Sequence, residues 1–342
     1  MAILAAPAHA PCATWTNRIA DTVAHLSHAH GPLPMHIKIL GSAAGGGFPQ
    51  WNCGCPNCSS LRAGTFSGKS RSQAQVAISA DGKTWFLLGA SPDLRAQIEA
   101  TPELHPRAGV RQSPISGVVL ASADLDHVLG LLLLRELQPL RVYGAPTVLR
   151  ILRENNSVFG MLNRVPNQVA WSEIKPGGKF ALAGPDGSDS SLTVDTVTLG
   201  TRYPAYVKPG ALQTEPSDAL LGLIVESASG RRAAYMSAVP QVDDALLRLL
   251  DSTDLVLFDG TFWDQDELIR IQGSGQTARE MGHIPVGTSE GSLRNLAGLR
   301  RPRKIYLHVN NTNPMLDEAG PEYRAVRAAG WEVAEDGWDI RL

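Results

Sequence analysis

The chain has 342 residues, enough to bury a large core as one domain or two smaller ones. Its apolar fraction is 43 % and its formal net charge is only −2. With no long basic stretch, that charge argues against nucleic acid as a partner. No run of about 18 apolar residues occurs, so no membrane span is expected. The apolar run Val128 to Leu134 is far too short for one and fits a buried segment.

Residues 1–34 are rich in Ala, His and Pro. Ala8-His9-Ala10 looks like a small-residue cleavage site, but no basic segment precedes it and the apolar stretch is very short. The segment reads as a disordered extension, or as a misassigned start with the true one at Met35. Met35 opens the first strand-like run, which passes through the glycine-rich Gly41 to Gly47 into Trp51-Asn52-Cys53-Gly54-Cys55-Pro56-Asn57-Cys58. Two apolar runs within Gln75 to Leu88 flank Asp81-Gly82-Lys83, a hairpin signal. Ser91 is expected to cap a helix whose first position is Pro92. Ile115 to Leu120 reads as a β-branched strand that stops before Asp124. A Leu-rich helix is expected from about Val128 to Glu136, then a short strand at Arg141 to Tyr143. Further strands are expected at Leu192 to Leu199, Leu221 to Glu226, Arg232 to Met236, Leu255 to Asp259, Lys304 to Val309 and Trp331 to Val333. Helices are expected at Asp243 to Leu250 and Pro321 to Ala329. Hairpins first, then β-α alternation, in two apparent halves: this order suggests an α/β fold, an αββα sandwich of two sheets with helices outside. Gly200 to Ala219 reads as a long loop near a site. No internal repeat is visible.

The cysteine cluster is the strongest local signal. Cys53, Cys55 and Cys58 lie too close in sequence for a disulfide framework, and soft thiolates at this spacing suit a structural tetrahedral zinc. Three thiolates leave a fourth ligand to be found. A C-x-x-C redox pair and three reduced surface cysteines are the other readings. The only further cysteine is Cys12, which points to a reducing compartment, the cytoplasm.

Four more constellations carry candidate chemistry. Asp124-Leu125-Asp126-His127 runs from a strand end into a helix, where α/β folds collect functional groups. Carboxylate oxygen and imidazole nitrogen there suit zinc, manganese or iron, while an Asp that merely caps a helix is the alternative. Asp259 ends an apolar strand and is either a site residue or a strand-to-turn Asp. His308 sits on an apolar strand, where a satisfied core histidine is the commoner case. His283 follows the flexible segment Gln272 to Gln276 and reads as a surface residue or as a site residue on a mobile loop.

Asp-x-Asp-His between strand and helix, a later strand-end Asp and a still later strand His together resemble the metallo-β-lactamase superfamily. The superfamily signature His-x-His-x-Asp-His falls on Ser122, Asp124, Asp126 and His127, so its first two histidines are missing. Asp259 falls where the family's bridging aspartate is expected, as a possible metal ligand, and His308 where its last histidine is expected. Gly41 to Cys53, Ala90 to Gln97, Glu280-Met281-Gly282-His283 and His308 to Pro314 narrow this to a resemblance to the pyrroloquinoline quinone (PQQ) biosynthesis protein B family, over about Met35 to Leu342. The resemblance implies a part in making PQQ from a peptide's cross-linked Glu–Tyr unit. That part is either oxygenation of the tyrosine-derived ring or carriage of the finished cofactor. Other enzymes of that pathway are then possible partners.

Without histidine at positions 122 and 124, most ligands of one metal of a dizinc hydrolase are gone, which disfavours a zinc phosphodiesterase. Asp126, His127 and His308 leave two histidines and one carboxylate, the pattern for non-haem Fe(II) oxygen chemistry. Asp124 or His283 is expected to serve there as acid or base toward the phenol. In related phosphodiesterases of this fold a second His, three residues past the last active-site His, closes the cysteine zinc site. Here that position is Asn311. Either Asn311 or a neighbour is the fourth ligand, or His308 belongs to the cysteines and not to iron.

Overall fold

A computed structural model describes residues 34–208 and 218–342. The expected N-terminal extension, apart from Pro34, lies outside the described residues, as does part of the loop expected from Gly200 to Ala219. Among the described residues pairing begins at Met35, whose backbone exchanges hydrogen bonds of 3.0 Å with Leu342 in both directions.

Two seven-stranded mixed sheets form the centre. The first contains β1 (His36–Gly41), β2 (Gln75–Ser79), β3 (Trp85–Leu88), β4 (Ile115–Leu120), β5 (Leu140–Gly144) and β6 (Val169–Glu173). The second contains β7 (Lys179–Ala183), β8 (Asp189–Gly200), β9 (Leu220–Ser227), β10 (Arg232–Met236), β11 (Leu255–Asp259), β12 (Arg303–Leu307) and β13 (Trp331–Val333). The last strand, β14 (Trp338–Arg341), crosses back to pair antiparallel with β1, so the order of the first sheet is β14-β1-β2-β3-β4-β5-β6. The order of the second runs from β13 down to β7. In each sheet antiparallel hairpins give way to parallel strands: β3 to β6 in the first, β10 to β13 in the second. Parallel strands bury both faces, which is why they read as unbroken apolar runs. Along β11 and β12, Leu255, Leu257, Ile305 and Leu307 join the core shared by the two sheets, whereas Val256, Phe258 and Tyr306 pack under the outer helices. Helices Leu94–Glu99 and Pro146–Arg153 lie on the first sheet, and Asp244–Asp251 and Pro321–Ala328 on the second. This is the expected αββα sandwich.

Three local expectations are corrected. The helix after β3 is Leu94–Glu99, with Asp93 and not Ser91 at the N-cap position, and the Asp93 carboxylate bonds Gln73 rather than the helix. Ser91 instead opens a turn, its carbonyl taking the Leu94 N–H at 3.0 Å. The Leu-rich helix is only Leu125–Val128 as α-helix, followed by a 3-10 stretch Leu129–Leu134. There the Gly130 backbone lies so close to Ala90 and Ser91 that a Cβ would have no room, and its N–H bonds Ala90 O at 2.9 Å. β12 stops at Leu307, because His308 turns into the left-handed region at φ 59°. That conformation costs a non-glycine residue roughly 1–2 kcal/mol and persists only where surroundings over-determine it.

The surroundings of His308 do so. Val309 N–H bonds Ser42 O (3.0 Å), Ala44 N–H bonds Val309 O (2.9 Å), and Asn310 N–H bonds Thr261 O (3.0 Å). The buried Asn313 side chain donates to Gly260 O at 2.9 Å, and Asn57 donates to the carbonyls of Asn311 and Asn313, each at 3.1 Å. Thr312 Oγ1 bonds Glu267 Oε1 at 2.5 Å, and Glu267 also accepts from Trp263 N–H at 2.6 Å. The turn from His308 to Asn313 is thus knitted to the end of β11, the glycine-rich loop and the cysteine segment.

Glu267 is 3 % exposed. Burial pushes its carboxyl up to about 7, against the opposing hydrogen bonds from Thr312 and Trp263. Between about pH 4.5 and 7 the folded protein keeps a proton that the unfolded chain has lost, so stability falls as pH rises through that window, by about 3 kcal/mol in all. Glu267→Gln imitates the protonated form and removes this contribution. Urea unfolding at pH 5 and pH 8 should show a smaller loss of stability with pH in the variant, by on the order of 1–3 kcal/mol. Equal pH dependence in the two proteins would contradict the assignment.

Candidate metal centre and active-site cavity

β4, β11 and β12 all end at the same edge of the sandwich, and their carboxyl ends deliver the candidate residues. Asp259 is the last residue of β11. The period of two along the strand places it on the same face as Leu255 and Leu257, between the sheets. It is completely buried. Its Oδ2 accepts from Val239 N–H (2.8 Å) and His283 Nδ1 (2.8 Å), and its Oδ1 from Thr261 N–H (3.1 Å) and Thr261 Oγ1 (2.6 Å). Burial would raise this carboxyl, but His283, with its charge and hydrogen bond, outweighs it and the pKa falls below the usual range.

Thr261 is the hub. While its hydroxyl donates to Asp259, it lies 2.9 Å from His308 Nδ1 and can accept that N–H. The bond fixes the tautomer of His308 and frees Nε2, which points at Asp126 Oδ2 at 2.9 Å. His127 Nε2 lies 3.9 Å from the same oxygen. The three imidazoles form a row, with His308 stacked between His127 (5.5 Å) and His283 (5.6 Å). Burial depresses the pKa of His127, against the pull of Asp126. His308 is raised, since its hydrogen bond to Asp126 and the nearby carboxylates overcome burial. Asp126 is held well below the usual carboxylate range: burial opposes this, but the charge of His127 and the hydrogen bond from His308 win.

Ligand atoms of Asp126, His127 and His308 all lie within 4.8 Å of one another, and so do those of Asp259, His283 and His308. A buried group of imidazoles and carboxylates so close together suits a divalent cation. His127 Nδ1 is buried without a protein partner, another sign that this ring is placed for something other than core packing. The donor set therefore fits a metal. Asp124 lines the cavity but lies outside both clusters, and Ser122 Oγ donates to it at 3.1 Å. Ser122 is thus a hydrogen-bond partner of Asp124.

The cavity these residues border has a volume of about 680 Å³ and is walled by the glycine-rich loop, Leu125, Phe262, Met281 and the segment after β8. Tyr206 of that segment bonds Ala123 O at 2.5 Å, and Arg202 bonds Met281 O at 2.6 Å.

The cysteine cluster is separate. The Sγ atoms of Cys53, Cys55 and Cys58 lie within 4.8 Å of one another. Asn311 Nδ2 faces all of them, at 3.2, 3.6 and 3.3 Å. A tetrahedral zinc with Zn–S about 2.3 Å and Zn–O about 2.1 Å would set the oxygen about 3.6 Å from each sulfur. A half-turn of the amide exchanges Nδ2 for Oδ1, so the spacing suits a fourth ligand at this position. Without a cation, burial and the neighbouring thiols push Cys55 up to about 12, the expected penalty for packing thiols that need a metal to ionise. His308 lies with Asp126 and Thr261, so the geometry favours Asn311 over His308 as the residue that meets the cysteines.

Sequence reasoning missed Thr261, Arg202, Tyr206 and Glu267. Thr261 lies two residues past Asp259, yet its role depends on two histidines brought in from elsewhere in the chain. Nothing local marks the others.

The profile described as Beta-lactamase superfamily domain matches residues 84–309. Coenzyme PQQ synthesis protein B of Methylobacterium sp. (strain 4-46) is 41 % identical over 309 residues, covering 90 % of this chain and all of the relative. Its counterpart from Pseudomonas entomophila (strain L48) is 39 % identical over 308 residues, with the same coverage. The crystal structure of Zn²⁺-bound PqqB from Methylobacterium extorquens superposes with a TM-score of 0.81 at 38 % identity, over 90 % of this chain and all of that one. The chain has the metallo-β-lactamase fold and belongs to the coenzyme PQQ synthesis protein B family.

Proposed function

We propose that this protein acts in PQQ biosynthesis as a non-haem iron oxygenase that hydroxylates the tyrosine-derived ring of the cross-linked Glu–Tyr intermediate: one oxygen atom of O2 enters the ring, the other leaves as water, and the ring supplies the two further electrons by passing to the quinone level. The observation that carries this reading is the ligand set itself. Asp126, His127 and His308 gather around one point, while Ser122 and Asp124 stand where a dizinc hydrolase needs histidines. Ferrous iron bound by these residues supplies the means to activate dioxygen.

The protein's own groups do the rest. Thr261 and Asp259 hold His308 and His283 in fixed tautomers, leaving His308 Nε2 for the metal and His283 Nε2 open to the cavity. His283 is placed to take the phenolic proton, which raises the electron density of the ring, and Asp124, which also lines the cavity, is a second proton acceptor. The apolar wall of Leu125 and Phe262 seats the ring and excludes water. We assign Asp259 the role of orienting His283, because its oxygens are already filled by the hydrogen bonds of Val239, Thr261 and His283. Cys53, Cys55 and Cys58 hold a structural zinc with Asn311 as fourth ligand. The zinc-bound relative supports a zinc in this family.

Two predictions follow from the assigned ligands. His127→Ala and His308→Ala, loaded anaerobically with Fe(II), should lose stoichiometric iron and at least about a hundredfold of the oxygen uptake seen when ferrous wild-type protein meets the cross-linked intermediate. Unchanged uptake in the variants would remove these residues from the ligand set, whereas no uptake in the wild type together with tight binding of PQQ indifferent to metal would favour a carrier. In chelator competition, Asn311→Ala should lose zinc roughly tenfold more readily than wild type, whereas Asn311→Asp, which keeps an oxygen, should not. Wild-type zinc retention in Asn311→Ala would remove Asn311 from the ligand set.

A further inference from the structure

The active-site cavity has an unusual charge layout. Asp124 and Asp126 line it, with Asp259 buried just behind, yet among the described residues that line it there is a single Lys or Arg, Arg202. Arg202 is exposed, and no carboxylate of the described residues lies within ion-pair distance of it. One corner of its guanidinium is spent: Nη1 donates to Met281 O at 2.6 Å. That bond fixes the head beside the turn that carries His283. At the other side of the same segment, Tyr206 is fastened to Ala123 O beside Asp124. The segment from Thr201 to Lys208 therefore spans the cavity from the His283 turn to the Asp124 turn, and Arg202 is its one fixed cation.

We propose that Arg202 is the carboxylate-binding residue of this cavity, and that the ligand it selects is an aromatic ring bearing carboxylates. A guanidinium presents a planar fork matched to a carboxylate and is weakly hydrated, so it suits a rim position where an anion is partly stripped of water. The apolar surface of Leu125, Phe262 and Met281 offers the ring a seat next to that fork. Without Arg202, a carboxylate entering here meets Asp124 and Asp126 with no side-chain cation except the histidines. The inference rests on this cavity being the substrate site of the proposed reaction, but it concerns binding and needs no turnover.

The test uses PQQ, an aromatic tricarboxylic acid, and its neutral trimethyl ester as probes of the anaerobic iron-loaded protein, by calorimetry. Wild type should bind the acid more tightly than the ester. Arg202→Met should weaken the acid by roughly 10- to 100-fold and leave the ester within about twofold, while Arg202→Lys, which keeps the charge and loses the fork, should fall between. All three proteins should carry the same iron content. Equal weakening of acid and ester would show that Arg202 merely pins the Met281 turn. That result, or no preference for the acid in the wild type, overturns the proposal. Arg202-dependent binding without oxygen uptake would instead sink the oxygenase reading and leave the carboxylate site standing.

Discussion

The structure depends on one short turn. His308 leaves β12 in a left-handed conformation that its own side chain would not choose, and the next five residues are held on every side. Thr261 fixes its imidazole through Nδ1, and the Thr261 carbonyl takes the Asn310 N–H. Three residues later, Asn311 meets the three cysteine sulfurs. The backbone strain at His308 is balanced by this web of buried hydrogen bonds, each worth on the order of 1 kcal/mol net. The consequence is geometric. The same turn that aims His308 into the cavity also carries the amide that meets the cysteines, so the clamp and the candidate catalytic centre share one rigid piece of backbone.

Charge supplies the second constraint. Asp259 is buried and Asp126 half-buried, and yet both are held as carboxylates by stacked histidines, an arrangement that burial alone would oppose. Buried charges persist when they are paired or bind a metal. The histidine row offers partial compensation, and a divalent cation among Asp126, His127 and His308 would complete it. The cysteine cluster poses the same problem with sulfur in place of oxygen, since Cys55 resists ionising where it sits.

Much of this was legible in the chain. The β-branched run Ile115–Leu120 and the apolar run Leu255–Asp259 became strands with those bounds, because parallel strands buried on both faces write an unbroken apolar pattern. Asp126, His127 and His308 were nameable because each follows or ends such a run. The edge strand Val169–Glu173 and the pair Lys179–Ala183 and Trp338–Arg341 were not, since half-exposed or short strands mix polar with apolar residues and leave a weak signal. Strand periodicity also misjudged the reach of β12. It carried the strand through His308 to Val309, whereas His308 and Asn311 both lie past its end. They serve opposite sides of a turn, and that turn is set by partners from β11 and the cysteine loop that no local pattern reveals.

The account stands on two metal sites with distinct ligands. Anomalous diffraction from crystals of the iron- and zinc-loaded protein, recorded on either side of the iron and zinc absorption edges, tests this most directly. The account predicts an iron peak among Asp126, His127 and His308 and a separate zinc peak among Cys53, Cys55, Cys58 and Asn311. A single peak, or a zinc ligated by both the cysteines and His308, would contradict it.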